Sequence, residues 1–182
     1  MRLYESRPED RVADLYAEFR PLMFAIAYRM VGSAGDAEDI VQEAFLRYHV
    51  QATEGKPIES PKAFLSAITT RLSIDHLRSA RVRRESYVGP WLPEPILTDE
   101  EGDAAQHAET ADSLSMAFLV LLESLTPVER AVFLLREVFD YDYGEIASIV
   151  RKSEANCRQL VARARKQIGD RKPRFEASRQ RR

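Results

Sequence analysis

Residues 145–168 read EIASIVRKSEANCRQLVARARKQI, and the reading of this stretch decides the fold. Glu145–Val150 has the character of a short helix, Arg151-Lys152-Ser153 forms a turn, and Ser153 stands where the N-cap of a second helix belongs. In that second helix, expected to run to about Ile168, Cys157, Val161, Ala164 and Ile168 recur at helical spacing and mark an inward stripe. Ala155, Arg158, Gln159, Ala162 and Lys166 then face outward, flanked by Asn156 and Arg163. A helix, a tight turn and a basic second helix make a helix-turn-helix. Alanines beside Arg and Gln suit a surface that enters a groove: small residues permit close approach, while Arg and Gln can bond base edges through two atoms at once. Arg151, Lys152 and Ser153 lie at the turn, where cations and free helix N–H groups can hold a phosphate. A solvated basic helix stapling a small bundle would share the charge, but it would not require turn, cap, stripe and charge to agree.

Working outward, Thr126-Pro127-Val128-Glu129 supplies an N-cap, a proline at N1 and a capping-box glutamate at N3. Helical periodicity precedes it from Asp112 to Leu125, and Asp140-Tyr141-Asp142-Tyr143-Gly144 breaks the chain after it. Towards the start, Pro8 opens a helix reaching Val31 and Gly32 stops it; Pro21 is expected to kink or divide that segment. Asp36 is expected to cap the next helix, with Asp39 at N3 and an end near Val50. Ser60-Pro61 begins a third helix that ends in the Arg81–Arg84 cluster. Strand signals are nearly absent.

Between the two helical regions lies Gly89-Pro90-Trp91-Leu92-Pro93-Glu94-Pro95. An acidic stretch follows, and from Glu94 through Asp99, Glu100, Glu101, Asp103, Glu109 and Asp112 it contains no Lys or Arg. The expectation is therefore all-α: two small helical domains joined by a flexible acidic linker. The boundaries read as 1–86, a linker at 87–112, a helix-turn-helix domain at 113–172 and a basic tail at 173–182.

The net charge of -2 hides this segregation, because clusters of opposite sign can serve different partners. Cys157 is the only cysteine, which excludes disulfide scaffolding within the chain and fits a reducing cytoplasm; it reads as a small buried apolar residue. His49, His76 and His107 lack ligand spacing, and no Gly-rich phosphate loop or nucleophile motif occurs. No apolar run approaches the roughly 20 residues of a membrane span. No metal, cofactor, small-molecule substrate, membrane partner or enzymatic activity is expected.

In the front region, Ala37, Ile40, Val41, Ala44, Phe45 and Tyr48 share one helical face and should be core. Asp39, Gln42, Glu43 and Leu46 lie opposite, and an exposed leucine among acidic and amide groups would suit docking on a basic, partly apolar surface. An ordinary solvated face remains open at this stage. The third helix places Phe64, Arg71, Asp75 and Arg78 near one stripe, ahead of Arg81, Arg83 and Arg84. An aromatic with several cations offers single-stranded nucleic acid both a stacking surface and phosphate neutralisation. Phe64 in the core, with Asp75 bridging Arg71 or Arg78, is the alternative; for Asp75 the bridge is favoured, and for the distal arginines nucleic-acid contact.

Taken in order, these segments resemble the extracytoplasmic-function sigma factors. The run Asp36-Ala37-Glu38-Asp39-Ile40-Val41-Gln42-Glu43-Ala44-Phe45-Leu46 looks like the family's region 2.2. The resemblance implies that Asp36, Asp39, Gln42, Glu43 and Leu46 dock on the β′ clamp helices of bacterial RNA polymerase. Ala63–Arg84 is similar to regions 2.3 and 2.4, which implies minus-10 promoter contacts by Phe64, Arg71, Arg78, Arg81, Arg83 and Arg84. Leu125 to Ile168 is similar to region 4. This implies minus-35 contacts by Arg151, Lys152, Ser153, Asn156, Arg158, Gln159, Arg163 and Lys166, with the polymerase β flap as a further partner. Many relatives carry Trp at the position of Phe64 and Asn at that of Arg71, so base-specific roles carry over least directly there.

Tyr87–Pro95 together with Glu137-Val138-Phe139-Asp140-Tyr141 is similar to the SigJ-type subgroup, whose members continue into a regulatory SnoaL-like C-terminal domain. Such a domain, or an anti-sigma factor, is then an implied partner. Arg174-Phe175-Glu176-Ala177-Ser178 reads like the start of a further segment, so the sequence is expected to be part of a longer chain. The resemblance also suggests that Asp99–Asp112 threads into a basic polymerase channel; a solvated tether is the equal alternative. A stand-alone helix-turn-helix regulator would explain the last helices but leave the Asp39–Leu46 face without a role.

Overall fold

The computed structural model describes the backbone of residues 8–55, 57–84 and 117–171, and side chains within 14–80 and 117–170. The linker and basic-tail expectations, 87–112 and 173–182, lie outside the described residues, as do the side chains of Arg81, Arg83 and Arg84. The described residues are helical and turn structure with no strand: α1 (Pro8–Val31), α2 (Ala34–Thr53), α3 (Pro61–Arg84), α4 (117–122), α5 (Pro127–Glu137), α6 (Tyr143–Val150) and α7 (Glu154–Arg171).

Helices α1, α2 and α3 pack on one another, and α5, α6 and α7 do likewise. The first core takes Met23, Ile26, Ala27 and Met30 from α1 and Leu65 and Ile74 from α3. From α2 it takes Ala37, Ile40, Val41, Ala44, Phe45 and Tyr48, the six residues that periodicity assigned to the inner face. The second core gathers Leu122, Ala131, Val132, Leu134, Leu135, Ile146, Ile149 and the inner stripe of α7. The two bundles also touch, through α3 against α5 and α6 and through α1 against α5.

Three local expectations are corrected. Helix α1 runs undivided through Pro21. Both Pro21 and Ala17, whose carbonyl loses its usual donor, are exposed, so water can satisfy that oxygen. Helix α2 is capped by Ser33, whose hydroxyl accepts from the Asp36 amide at 3.3 Å; Asp36 is thus at N3. The cap moves because Gly32, at φ +74°, turns the chain within two residues of the end of α1. Helix α6 begins at Tyr143, two residues early, because Asp142 and Glu145 form a reciprocal capping box across the Asp-Tyr-Gly segment.

Other signals hold. Ser60 Oγ accepts from the Ala63 amide at 3.2 Å before Pro61. Thr126 Oγ1 accepts from the Glu129 amide, and Glu129 returns a carboxylate to the Thr126 amide at 3.1 Å. That box orients α5, the scaffold on which α6 and α7 rest. Thr126→Ala should lower stability by about 1 kcal/mol, read as an earlier urea-unfolding midpoint; an unchanged midpoint would contradict the capping role.

Candidate nucleic-acid interface

The turn before α7 is built from backbone and cap together. Arg151 closes α6 in the left-handed region at φ 54° and donates its amide to Ala147 O; the Lys152 amide bonds the same oxygen at 3.1 Å. Ser153 then caps α7, its hydroxyl accepting from the Asn156 amide at 3.2 Å. Cys157, Val161, Ala164 and Ile168 point inward as expected, and Leu160 joins them because α5 and α6 cover a broader face than one stripe.

Everything on the outer face is polar or small. Arg151, Lys152, Ser153, Ala155, Asn156, Arg158, Gln159, Ala162, Arg163 and Lys166 are all exposed. Two arginines near this face are held in place. Arg158 bonds Glu154 at 2.8 Å and lies 4.9 Å over the Tyr143 ring, which Arg136 also approaches at 5.1 Å. Arg165 bonds Glu137 at 2.7 Å, and that hydrogen bond, with the carboxylate charge, raises its pKa. Tyr143 was absent from the sequence-derived site; only its place one residue after an N-cap could have signalled it.

On α2, Asp39 and Gln42 are exposed, Glu43 pairs with Arg47 at 2.7 Å, and Leu46 is 56% exposed. Val50, one turn further, is 46% exposed and extends the apolar patch beyond the sequence-derived set. Asp36 begins the same stripe, but its carboxylate reaches His76 of α3 at 3.5 Å.

Helix α3 does not present its expected stripe as one surface. Phe64 is half-buried, packed against the core and edge-on to Tyr48 at 5.9 Å. Arg78 is exposed and pairs with Asp75 at 3.7 Å, the bridge that spacing favoured. Arg71 points at α6: its Nε donates to Ile149 O at 2.8 Å and its Nη2 to Ser148 O at 2.9 Å. Burial, and secondarily the charge of Arg151, lower its pKa, yet a guanidinium starting this high keeps its charge.

An all-α chain with a capped, outwardly basic helix-turn-helix and a second bundle bearing an acidic-apolar face defines a two-module class. Comparison with known proteins is specific. Sigma-70 region 2 matches residues 15–83 and Sigma-70 region 4 matches residues 115–168. The ECF RNA polymerase sigma factor SigJ of Mycobacterium tuberculosis is 41% identical over 154 residues, covering 84% of this chain and 48% of SigJ. The ferric citrate uptake sigma factor FecI of Escherichia coli is 32% identical over 138 residues, covering 75% of this chain and 76% of FecI. The crystal structure of SigJ superposes with a TM-score of 0.65 at 36% identity, over 87% of this chain and 53% of that one. The chain belongs to the sigma-70 family, among its extracytoplasmic-function members. It spans about half the length of SigJ.

Two measurements probe this geometry. Arg151→Gly removes a side chain from left-handed backbone and should stabilise the protein by about 1 kcal/mol, seen as a raised melting temperature; a fall would show that the Arg151 side chain outweighs the strain. Burial raises the Cys157 pKa, so little thiolate is available at neutral pH. Maleimide labelling should be slow in the native protein and fast in urea; fast native labelling would refute the inward placement.

Proposed function

We propose that the chain directs promoter recognition by bacterial RNA polymerase, as an initiation factor without a catalytic step of its own. Residues 1–86 serve as the polymerase and minus-10 module and 113–172 as the minus-35 module, with 87–112 between them. Asp36, Asp39, Gln42, Glu43 and Leu46, extended by Val50, dock on the β′ clamp helices. Phe64, Arg71, Arg78, Arg81, Arg83 and Arg84 serve the minus-10 strand. Arg151, Lys152 and Ser153 hold phosphate at the turn, while Asn156, Arg158, Gln159, Arg163 and Lys166 meet the minus-35 duplex, with the β flap supporting the module. The observation that carries the reading is the outer face of α7, where exposed Asn, Gln and Arg alternate with alanine above a fully apolar inner stripe.

The exposed Leu46–Val50 patch favours a polymerase-bound factor over a stand-alone regulator, which has no use for an acidic-apolar face away from its recognition helix. Each module alone holds few contacts, so polymerase supplies the second tether and a high effective concentration. The reading places the protein in the cytoplasm with its polymerase; no described helix is long and apolar enough to cross a membrane. A regulatory C-terminal domain or an anti-sigma factor remains part of the same proposal.

Run-off transcription with bacterial core enzyme on a random promoter library tests it. Initiation should select one consistent pair of sequence elements. Arg158→Ala should lower promoter-specific transcript roughly tenfold while leaving core binding intact. Asp39→Ala combined with Gln42→Ala should weaken core binding instead. Loss of both variants at the same assay step would overturn the division of labour.

A further inference from the structure

A cation on a duplex-facing helix is drawn first to phosphate, and phosphate carries no sequence. On α7, Arg158 is accompanied by a carboxylate from the same helix. Glu154, in the first turn, accepts from Arg158 Nη2 through Oε2 at 2.8 Å. Its other oxygen, Oε1, lies against the first turn of α6: a Cβ on Gly144 would stand 3.6 Å from it and 3.2 Å from Asp142 Oδ1. Glycine at 144 thus leaves the carboxylate room between two helix starts, whose partial positive charge favours it there. The Arg158 guanidinium also lies 4.9 Å over the Tyr143 ring, which takes Arg136 at 5.1 Å as well. Arg136 is fixed in turn by Tyr141 O at 2.9 Å and by Asp140 at 3.8 Å. An ion pair one turn apart on a solvated helix samples many geometries and matters little. Here both partners have a second contact.

The pair has no net charge, and this changes what Arg158 can read. A guanidinium has five N–H donors, of which the bond to Glu154 uses one. The remaining donors can still meet the two acceptors of a guanine edge, O6 and N7, on a base without net charge. A phosphate in the same place would bring its own charge up to the Glu154 carboxylate. That repulsion cancels much of the attraction to Arg158.

We propose that Glu154 is a specificity-determining residue of the α7 face: it withholds Arg158 from lone phosphates and, with Tyr143 as platform, presents the guanidinium to a guanine. The inference rests on the duplex-reading role proposed above and names the base which that role selects. Glu154 and Tyr143 are positioning residues; both act through Arg158 and neither has to touch DNA.

The test uses holoenzyme, core polymerase with the whole chain, and promoter duplexes carrying either the upstream element selected by run-off transcription or a scrambled one. Binding is followed by fluorescence anisotropy across a salt series. For Glu154→Gln, affinity for the scrambled duplex should rise about threefold and its log–log salt slope should steepen by about 0.9. The preference for the selected element should fall about fivefold. Replacing guanines of that element one at a time by 7-deazaguanine removes N7 alone. One position should cost the wild type about tenfold, Glu154→Gln and Tyr143→Leu about threefold, and Arg158→Ala nothing. Tyr143→Phe keeps the ring and should keep the wild-type cost. Asp170→Asn removes an equal charge about 24 Å further along α7, and it should leave the preference unchanged. A preference unchanged in Glu154→Gln, or lowered equally by Asp170→Asn, overturns the proposal while the two-module function stands. A selected element in which no 7-deazaguanine costs affinity overturns the guanine assignment and the proposal with it. Wild-type holoenzyme without preference for any upstream element overturns the proposed function and this role together.

Discussion

Carbonyl oxygens at a helix C-terminus must find donors from outside their own helix, and here three helix ends are closed by side chains from elsewhere in the chain. Arg130 is buried and donates to Met30 O at the end of α1 and to Leu122 O at the end of α4. Gln167 of α7 donates to Ser124 O in the turn after α4. Arg71 closes α6. These bonds join elements that apolar packing alone would leave free to slide, because dispersion has no direction and a guanidinium fork has one. The orientation of α7, and so of its outer face, follows from them.

The same logic sorts the cations by role. Arg71 and Arg130 donate to backbone oxygens within this fold, Arg165 to Glu137, and Arg158 is steadied by Glu154 and the Tyr143 ring. Net charge says nothing about this division; the acceptor each group faces decides it. For Arg158 the restraint has a use, since an arginine already ordered loses less freedom when it meets a base edge.

What was legible in the sequence was local. Apolar periodicity marked the inner faces of α2 and α7 because burial depends on which side of a helix a residue occupies. Thr126-Pro127-Val128-Glu129 and Ser153 announced helix starts because a cap acts within three residues. What escaped depends on partners far along the chain. Nothing near Arg71 tells that its acceptors are Ser148 and Ile149, nor does the region around Ser66 point to Tyr141. Asp36 looked like a cap because it is a good one; Ser33 took the role only because Gly32 ends α1 so tightly. Pro21 looked like a breaker, which it is where the freed carbonyl is buried and not where it is wet. The candidate site divided in the same way: the outer face of α7 could be read from spacing, whereas the α3 stripe dispersed, Phe64 onto Tyr48 of its own bundle, Arg78 onto Asp75 and Arg71 onto α6.

Hydroxyl-radical footprinting of a promoter, with and without core polymerase, addresses the two-module reading most directly. With core enzyme, the chain should protect two patches about 25 base pairs apart, and alone it should give neither at the same concentration. A single upstream patch, equally strong without polymerase, would contradict the account and leave a simple duplex-binding regulator in its place.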